Sequence, residues 1–583
     1  MISGILLLAL LAGVAVTLAS AAHRGAHLRV DVHTLRRLFQ YAVLFALVVI
    51  VTVGVTGLVT RFVGKPAFGE DADALLARSL AFALVGAPLA ALLAWWSRRR
   101  QLADGSETRS GVFAAYLTVA ALTGATAAAF NLQSVGGAAA DGRVDGGAVA
   151  AVLAWGAVWL GHWALATRML DGDRAVPHLL LGSLIGLILG AGGLISTLGS
   201  SLEIFVHSGS GSGRPTAPGA GLGLLVGGAL IWVRYWATTA IRLPRSNLWF
   251  GIVLPVGVGG GLVLSLVGAS RLIWTVLVWL VGKPAEGSAT VHFGGIGRDV
   301  AVLLVGLLMW WYHRAVLGPH HERRSEVQRV YEYLMAGLGL IAAAVGAGTA
   351  LVGFIEAVTP GVDVGMSVVN TVLAAVTLLI VGAPVWWVFW SRIRRAADLD
   401  RAGEVTSPTR RTYLILLFGV AGVAAVIALI AVAWTFFQDV VAGRLSGVTI
   451  RQMRYGLGTL LGTAAVSGYH WSILHHDRGA AAPRRVRGPR SVVLVGPADA
   501  AVEDAVRRAT GARVESWSPL DTSTGAGAWD AEVLVELLSG HPDEDLLVLS
   551  DDGVPRVVAV SRSGRPAPPA PTHGHLGDDA SVV

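Results

Sequence analysis

The chain has 583 residues, 54% hydrophobic and only 14% charged, and apolar runs of about 20 residues recur along it, which excludes an ordinary soluble domain and points to a multi-pass membrane protein. The net charge of +7 comes almost wholly from arginine at the ends of those runs, the placement an anionic cytoplasmic leaflet selects; nucleic acid is not an expected partner, because the basic residues form no patch interleaved with aromatics. The absence of cysteine removes disulfides, thiolate nucleophiles, zinc-thiolate sites and iron–sulfur clusters.

In chain order, the first apolar run is Ile2 to Ala22. Ala19-Ser20-Ala21 would suit a signal-peptide cleavage site, but the amino end lacks a positive region. Arg24, Arg29, Arg36 and Arg37 follow the run instead. An uncleaved helix over 1–22 with its N-terminus outside keeps those arginines in the cytoplasm and is the expected arrangement.

From Leu35 onward one plan repeats: an apolar helix, a Gly-rich or acidic loop, then an apolar helix that closes on tryptophans and basic residues. It is clearest in Val381-Gly-Ala-Pro-Val-Trp-Trp-Val-Phe-Trp-Ser-Arg392 and in Val85-Gly-Ala-Pro88 running to Trp95-Trp96-Ser-Arg-Arg-Arg100. About six copies, roughly 70–85 residues apart, make this a repeat architecture. The expected units are 35–101, 108–171, 177–243, 249–318, 325–395 and 409–477, which with the first helix give about 13 spans. Their first helices are expected to begin near Leu35, Ser110, Pro177, Trp249, Val330 and Tyr413, and their second helices near Leu75, Gly147, Gly219, Asp299, Met366 and Gly456. Val63-Gly-Lys-Pro-Ala67 returns as Val281-Gly-Lys-Pro-Ala285, which suggests a three-unit duplication. The proline after each lysine and the missing upstream glycine make these helix-ending turns rather than phosphate loops.

Loops after the tryptophan-ended helices hold about twice the Lys and Arg of the opposite loops, which places those ends in the cytoplasm of a plasma (inner) membrane. After Arg490 short alternating segments replace long apolar ones. Strands are expected at Ser491–Gly496, Arg513–Trp517, Leu546–Ser550 and Arg556–Val560, with helices at Ala498–Thr510 and Asp530–Ser539. This is a cytoplasmic α/β domain over 490–562, and the Pro-, Gly- and His-rich tail 563–583 is expected to be disordered. The fold class is an all-α polytopic membrane bundle with a small C-terminal α/β domain.

The Leu35-Arg-Arg-Leu-Phe-Gln-Tyr41 opening and the Val381-Gly-Ala-Pro-Val-Trp-Trp387 stretch resemble bacterial multi-pass membrane proteins built from tandem copies of domain of unknown function 5671. The resemblance covers roughly residues 30 to 478. It implies the fold and supplies no catalytic residue, cofactor or metal.

Candidate polar residues are His162, Arg234, His313 and His470, at similar places in the second helices, and Glu203, Glu356 and Asp439, which close first helices at the other end. Turned into one cavity they would line an ion or proton path; the plainer account is that they anchor helix ends at the headgroups or in solvent. Trp95, Trp96, Trp163, Trp236, Trp310, Trp311, Trp386, Trp387, Trp390 and Trp471 read as an interfacial belt, where an indole buries its rings and gives its N–H to the headgroup region. Gly186 with Gly190, Gly223 with Gly227, Gly257 with Gly261, and Gly458 with Gly462 are spacings that let helices approach closely. Pro88 and Pro384 would either break their helices and expose backbone to a solute, or be absorbed as kinks. In the tail domain Gly496-Pro497 is a weak anion-binding turn, and Asp551-Asp552-Gly553 a hairpin turn. That domain shows no helical His-Glu pair, nucleophile elbow or pair of catalytic carboxylates. The expected function is a non-enzymatic membrane scaffold or regulatory component; its expected partners are the lipid bilayer, other membrane proteins or a cytoplasmic partner of the C-terminal domain. A transporter or channel is the alternative, and a membrane-embedded enzyme the third reading.

Overall fold

The computed structural model describes residues 32–63, 72–207, 217–285, 287–318, 325–361, 366–479, 488–496, 500–517, 529–541, 543–551 and 554–560. The expected first helix 1–22, the Lys65 turn and the 563–583 tail lie outside them. Two compact units are present, Met1–Leu474 and His475–Val583.

The first unit is helical: α1 (Val32–Val63), α2 (Ala72–Ala103), the one-turn α3 (Gly105–Thr108), α4 (Gly111–Ala140), α5 (Gly146–Met169), α6 (Gly172–His207), α7 (Gly219–Trp232), α8 (Asn247–Ile252), α9 (Gly260–Val281), the one-turn α10 (Ala289–His292), α11 (Ile296–Leu317), α12 (Glu326–Val358), α13 (Val368–Leu399), α14 (Arg401–Thr406), α15 (Pro408–Val441) and α16 (Gly447–Gly479). Among the described residues, 11 helical stretches are long and apolar enough to cross a membrane, with α8 and α9 counting as one. The 33-residue α16 has the length and more polar residues. It begins about nine residues before the expected Gly456, because its first turns carry Arg451 and Arg454, whose charges are taken up by the end of α12.

Helices pack as successive pairs: α1 with α2, α4 with α5, α6 with α7, α9 with α11, α12 with α13, and α15 with α16 through Ser467 on the Phe418 carbonyl and Phe418 on Trp471. The junctions between pairs follow one rule. The first helix of a pair lies on the second helix of the next: α1 on α5, α4 on α7, α6 on α11, α9 on α13, and α12 on α16, where Gly348 meets Gly458 and Ala344 meets Gly462.

Lipid tails are as apolar as leucine, so these contacts draw on van der Waals packing at close approach. The glycines supply it. A Cβ at Gly228 would stand 2.2 Å from the Gly190 nitrogen, one at Gly223 2.1 Å from the Leu132 carbonyl oxygen, and one at Gly458 2.5 Å from the Gly348 carbonyl oxygen. Pro88 and Pro384 sit inside unbroken α2 and α13, so the Gly-Ala-Pro motifs break nothing. The irregular turns lie elsewhere: α7 runs on into a π-helical turn at Val233–Ala237, and α8 is joined to α9 by another at Val253–Gly259. Pro255 lies within the second and brings no N–H to the ladder, which a widened turn accommodates.

The second unit is a four-stranded sheet of order β2-β1-β3-β4, with β1 (Ser491–Val495), β2 (Arg513–Trp517), β3 (Asp545–Asp551) and β4 (Val554–Val560). β1 runs parallel to both neighbours, and β3–β4 is an antiparallel hairpin. Helices α17 (Ala500–Thr510) and α18 (Ala531–Ser539) cover Val492, Leu494, Leu546 and Val548. Six expected elements are present within about two residues of their limits. Pro497 and the Asp552-Gly553 turn lie outside the described residues.

Candidate functional site

At the tryptophan end of the bundle, polar side chains close onto neighbouring helices. Glu107 on α3, whose side chain is 4% exposed, receives Arg36 and Arg37 of α1, the latter through Nε at 3.1 Å. Arg36 also donates to Gln40, and Gln40 donates to Ser97 on α2, at 2.8 and 2.7 Å. Asp104 caps α3 and lies outside the spans; the backbone N–H of Ser106, then its hydroxyl, hold this carboxyl below its ordinary pKa.

The same latch recurs on α14. Glu404, side chain 2% exposed, accepts Arg329 Nε of α12 at 3.1 Å and the Tyr333 hydroxyl at 2.9 Å, while Arg410 donates to that hydroxyl at 3.1 Å. Each glutamate stands three residues before the serine, Ser110 or Ser407, that caps the following helix.

Above the latches lies a layer of rings. Trp159 Nε1 donates to the Tyr235 hydroxyl at 3.3 Å, Trp236 to Tyr312 at 2.9 Å and Trp390 to Tyr469 at 2.7 Å. Each bond runs from the second helix of one pair to the second helix of the next. Trp236 and Trp390 are therefore buried, 3% and 2% exposed, which corrects their reading as interfacial anchors: their indole N–H serves a protein tyrosine rather than a headgroup. Trp95, Trp311, Trp387 and Trp471 are exposed on the bundle surface; Trp96, Trp163, Trp310 and Trp386 are half-buried.

The histidines belong to this layer too. His162, His313 and His470 each place Nδ1 2.8–2.9 Å from the carbonyl four residues earlier, of Val158, Met309 and Val466. A carbonyl can only accept, so Nδ1 carries the proton and Nε2 is left as an acceptor. His162 Nε2 meets the Tyr116 hydroxyl at 3.0 Å. His470 Nε2 and the Tyr413 hydroxyl, by contrast, are buried with no hydrogen-bond partner. His313 is buried against the π-helical turn, where a Cβ at Gly257 would fall 2.5 Å from its ring. Arg234 lies over Trp163, its guanidinium carbon 3.7 Å from the ring centre, and donates to Thr238 at 3.1 Å.

The three outer carboxylates go to different places. Glu356 is buried and receives Arg454 Nε at 2.8 Å, while Arg451 binds the Glu356 and Thr359 carbonyls. Asp439 accepts the Thr449 hydroxyl at 2.7 Å and faces Arg444 at 3.5 Å, within its own turn. Glu203 packs beside Gly297 of α11. The solvated helix-end reading thus fails for Glu356, because an arginine from the next helix pair shields it. At the same end Asp299 pairs with Arg271, and Asn370 clasps the backbone N–H and carbonyl of Lys283 at 2.9 and 2.8 Å. Lys283 accordingly ends its helix as the turn reading expects. Among the described residues no group of His, Asp and Glu could hold a metal ion.

Beside α11 and α12 is a half-open cleft of about 550 Å³. Arg245 enters it from the α7–α8 connection, bound to the Leu317 and Val316 carbonyls at 2.8 and 3.0 Å.

Apolar helices paired by glycine and latched by buried ion pairs define a polytopic helical membrane protein that carries an α/β domain. Two segments, 37–161 and 329–465, match the model described as Domain of unknown function (DUF5671), consistent with tandem copies of that domain. Each match spans two helix pairs rather than one, and the copies lie four pairs apart rather than the three that the Val-Gly-Lys-Pro-Ala echo suggested. Both π-helical turns fall in the unmatched middle. No curated protein and no solved structure matches the chain.

Proposed function

We propose that the chain is a non-enzymatic membrane scaffold of six repeated two-helix units and about 13 spans, counting the first apolar run. It holds its α/β domain on the cytoplasmic side of the plasma membrane, with its N-terminus outside, and offers surfaces to other membrane proteins and to a cytoplasmic partner. The observation that carries this reading is the use of intramembrane and helix-end charge: Arg36, Arg37, Arg329 and Arg454 each close on a buried carboxylate of a neighbouring helix. Such pairs fix register and tie elements together, a role for buried charge distinct from solvating a moving ion. Orientation rests on the arginine excess at the tryptophan end.

The test is proton and ion flux across liposomes holding the full-length protein, beside a Glu203→Ala, Glu356→Ala and Asp439→Ala variant. Flux equal to empty liposomes for both is the expected result. Flux in the wild type that the variant abolishes would overturn the scaffold and install a conduction path. Because the chain has no cysteine, single introduced cysteines report sidedness directly: Ser446→Cys should label from outside and Ser539→Cys only after permeabilisation.

A further inference from the structure

We propose that the cleft beside α11 and α12 binds the phosphate of an anionic membrane lipid. Two guanidinium groups line it, Arg245 and Arg314, with Phe250, Trp311, Gln328 and Tyr331, and no carboxylate among the described lining residues. Neither arginine forms an ion pair among the described residues. Arg245 is oriented by two helix-end carbonyls, which occupy two of its five N–H groups. Arg314 lies over the Tyr331 ring, 5.2 Å from its centre. Tyr331 is 4% exposed and its hydroxyl is buried without a partner. A planar guanidinium with free donors is the side chain best suited to a phosphate oxygen pair.

The apolar walls select a lipid over free phosphate. Phe250 and Trp311 give the cleft an aromatic side, and Trp311, 62% exposed, continues down α11 into exposed Leu308, Leu307 and Leu304. These positions fall on one helix face. An acyl chain laid along that stripe would bring its headgroup to the two arginines at the depth of the tryptophan layer. The assignment is independent of the scaffold reading and of which leaflet the cleft faces.

The probe is dioleoyl phosphatidylglycerol, with dioleoyl phosphatidylcholine as control, titrated onto full-length protein in neutral detergent, and retained lipid counted by native mass spectrometry. Phosphatidylglycerol should be retained and phosphatidylcholine should not. Arg245→Ala with Arg314→Ala should weaken retention roughly thirtyfold, at about 1 kcal/mol for each arginine near a charged lipid. Removing Arg245 also frees two helix-end carbonyls, so Arg314→Ala alone is measured beside it; that variant should keep the wild-type melting temperature and still lose several-fold. Inorganic phosphate at about 10 mM should leave the lipid in place, since it cannot use the apolar stripe. Equal retention of the two lipids, unchanged retention in Arg314→Ala, or displacement by inorganic phosphate would each overturn the proposal, the last by making the site one for free phosphate.

Discussion

Helices α4 and α15 occupy the same place in the two matched copies, and they meet opposite surroundings. Each is capped by a serine, Ser110 or Ser407, with a tyrosine six residues on, Tyr116 or Tyr413. In α4, 78% of the apolar stretch is buried; in α15 the figure is 6%. The reason is position: α4 has another pair after it and lies on α7, whereas α15 belongs to the last pair. The composition follows, and against the habit of soluble proteins. The buried helix is the less apolar one, rich in Ala, Gly and Thr, and the exposed one is built from Leu, Ile, Val and Phe. In a bilayer hydrophobicity does not separate inside from outside; side-chain size does, because protein neighbours want small residues and lipid accepts large ones.

The comparison can be broken most sharply at glycine. Gly124 of α4 has no room, since a Cβ there would lie 2.7 Å from the Trp159 nitrogen, whereas at Gly419 of α15 nothing lies within 4 Å. Gly124→Val should cost about 3 kcal/mol or more by forcing two backbones apart, and should show as loss of the monodisperse peak in size-exclusion chromatography. Gly419→Val should elute and melt as the wild type does. A reversed result would mean that α15 has a protein neighbour.

The latches test what the copies share. Glu107→Ala and Glu404→Ala each strand buried or half-buried arginine, and each should cost about 3 kcal/mol, read as a fall in melting temperature followed by tryptophan fluorescence. A much smaller loss for one would show that the two copies are held differently. The smallest effect separates the tyrosines by sign. Tyr116→Phe removes a bond to His162 and should destabilise by about 1 kcal/mol, while Tyr413→Phe removes a buried hydroxyl without a partner and should be neutral or stabilising by up to about 1 kcal/mol.

The α/β domain was the most legible region, because alternation in Ser491–Val495 and turn residues around each strand mark its elements locally. The helix pairs were legible as apolar runs and the glycine contacts as spacings. The latch was not, although Arg36 and Arg37, which serve its first copy, were noted: an isolated Glu107 or Glu404 between spans looks solvated until the short helix folds it under its neighbour. The shared spacing of glutamate to capping serine was the available signal. Tyr235, Tyr312 and Tyr469 were passed over for a different reason. A tryptophan before a run of arginines satisfies the interfacial rule by itself, and only the partner 76–79 residues away shows that Trp236 and Trp390 point inward.

The junction rule also sets a timetable. Because each first helix rests on the second helix of the pair that follows it, no pair except the last is finished when it leaves the ribosome and enters the bilayer. The small-residue face of α4 must wait, poorly matched to acyl chains, until α7 has been synthesised. Assembly then advances from the amino end one pair behind translation, and a chain that stops early leaves its newest first helix uncovered. Only α15, clad in large apolar side chains, is made to be final.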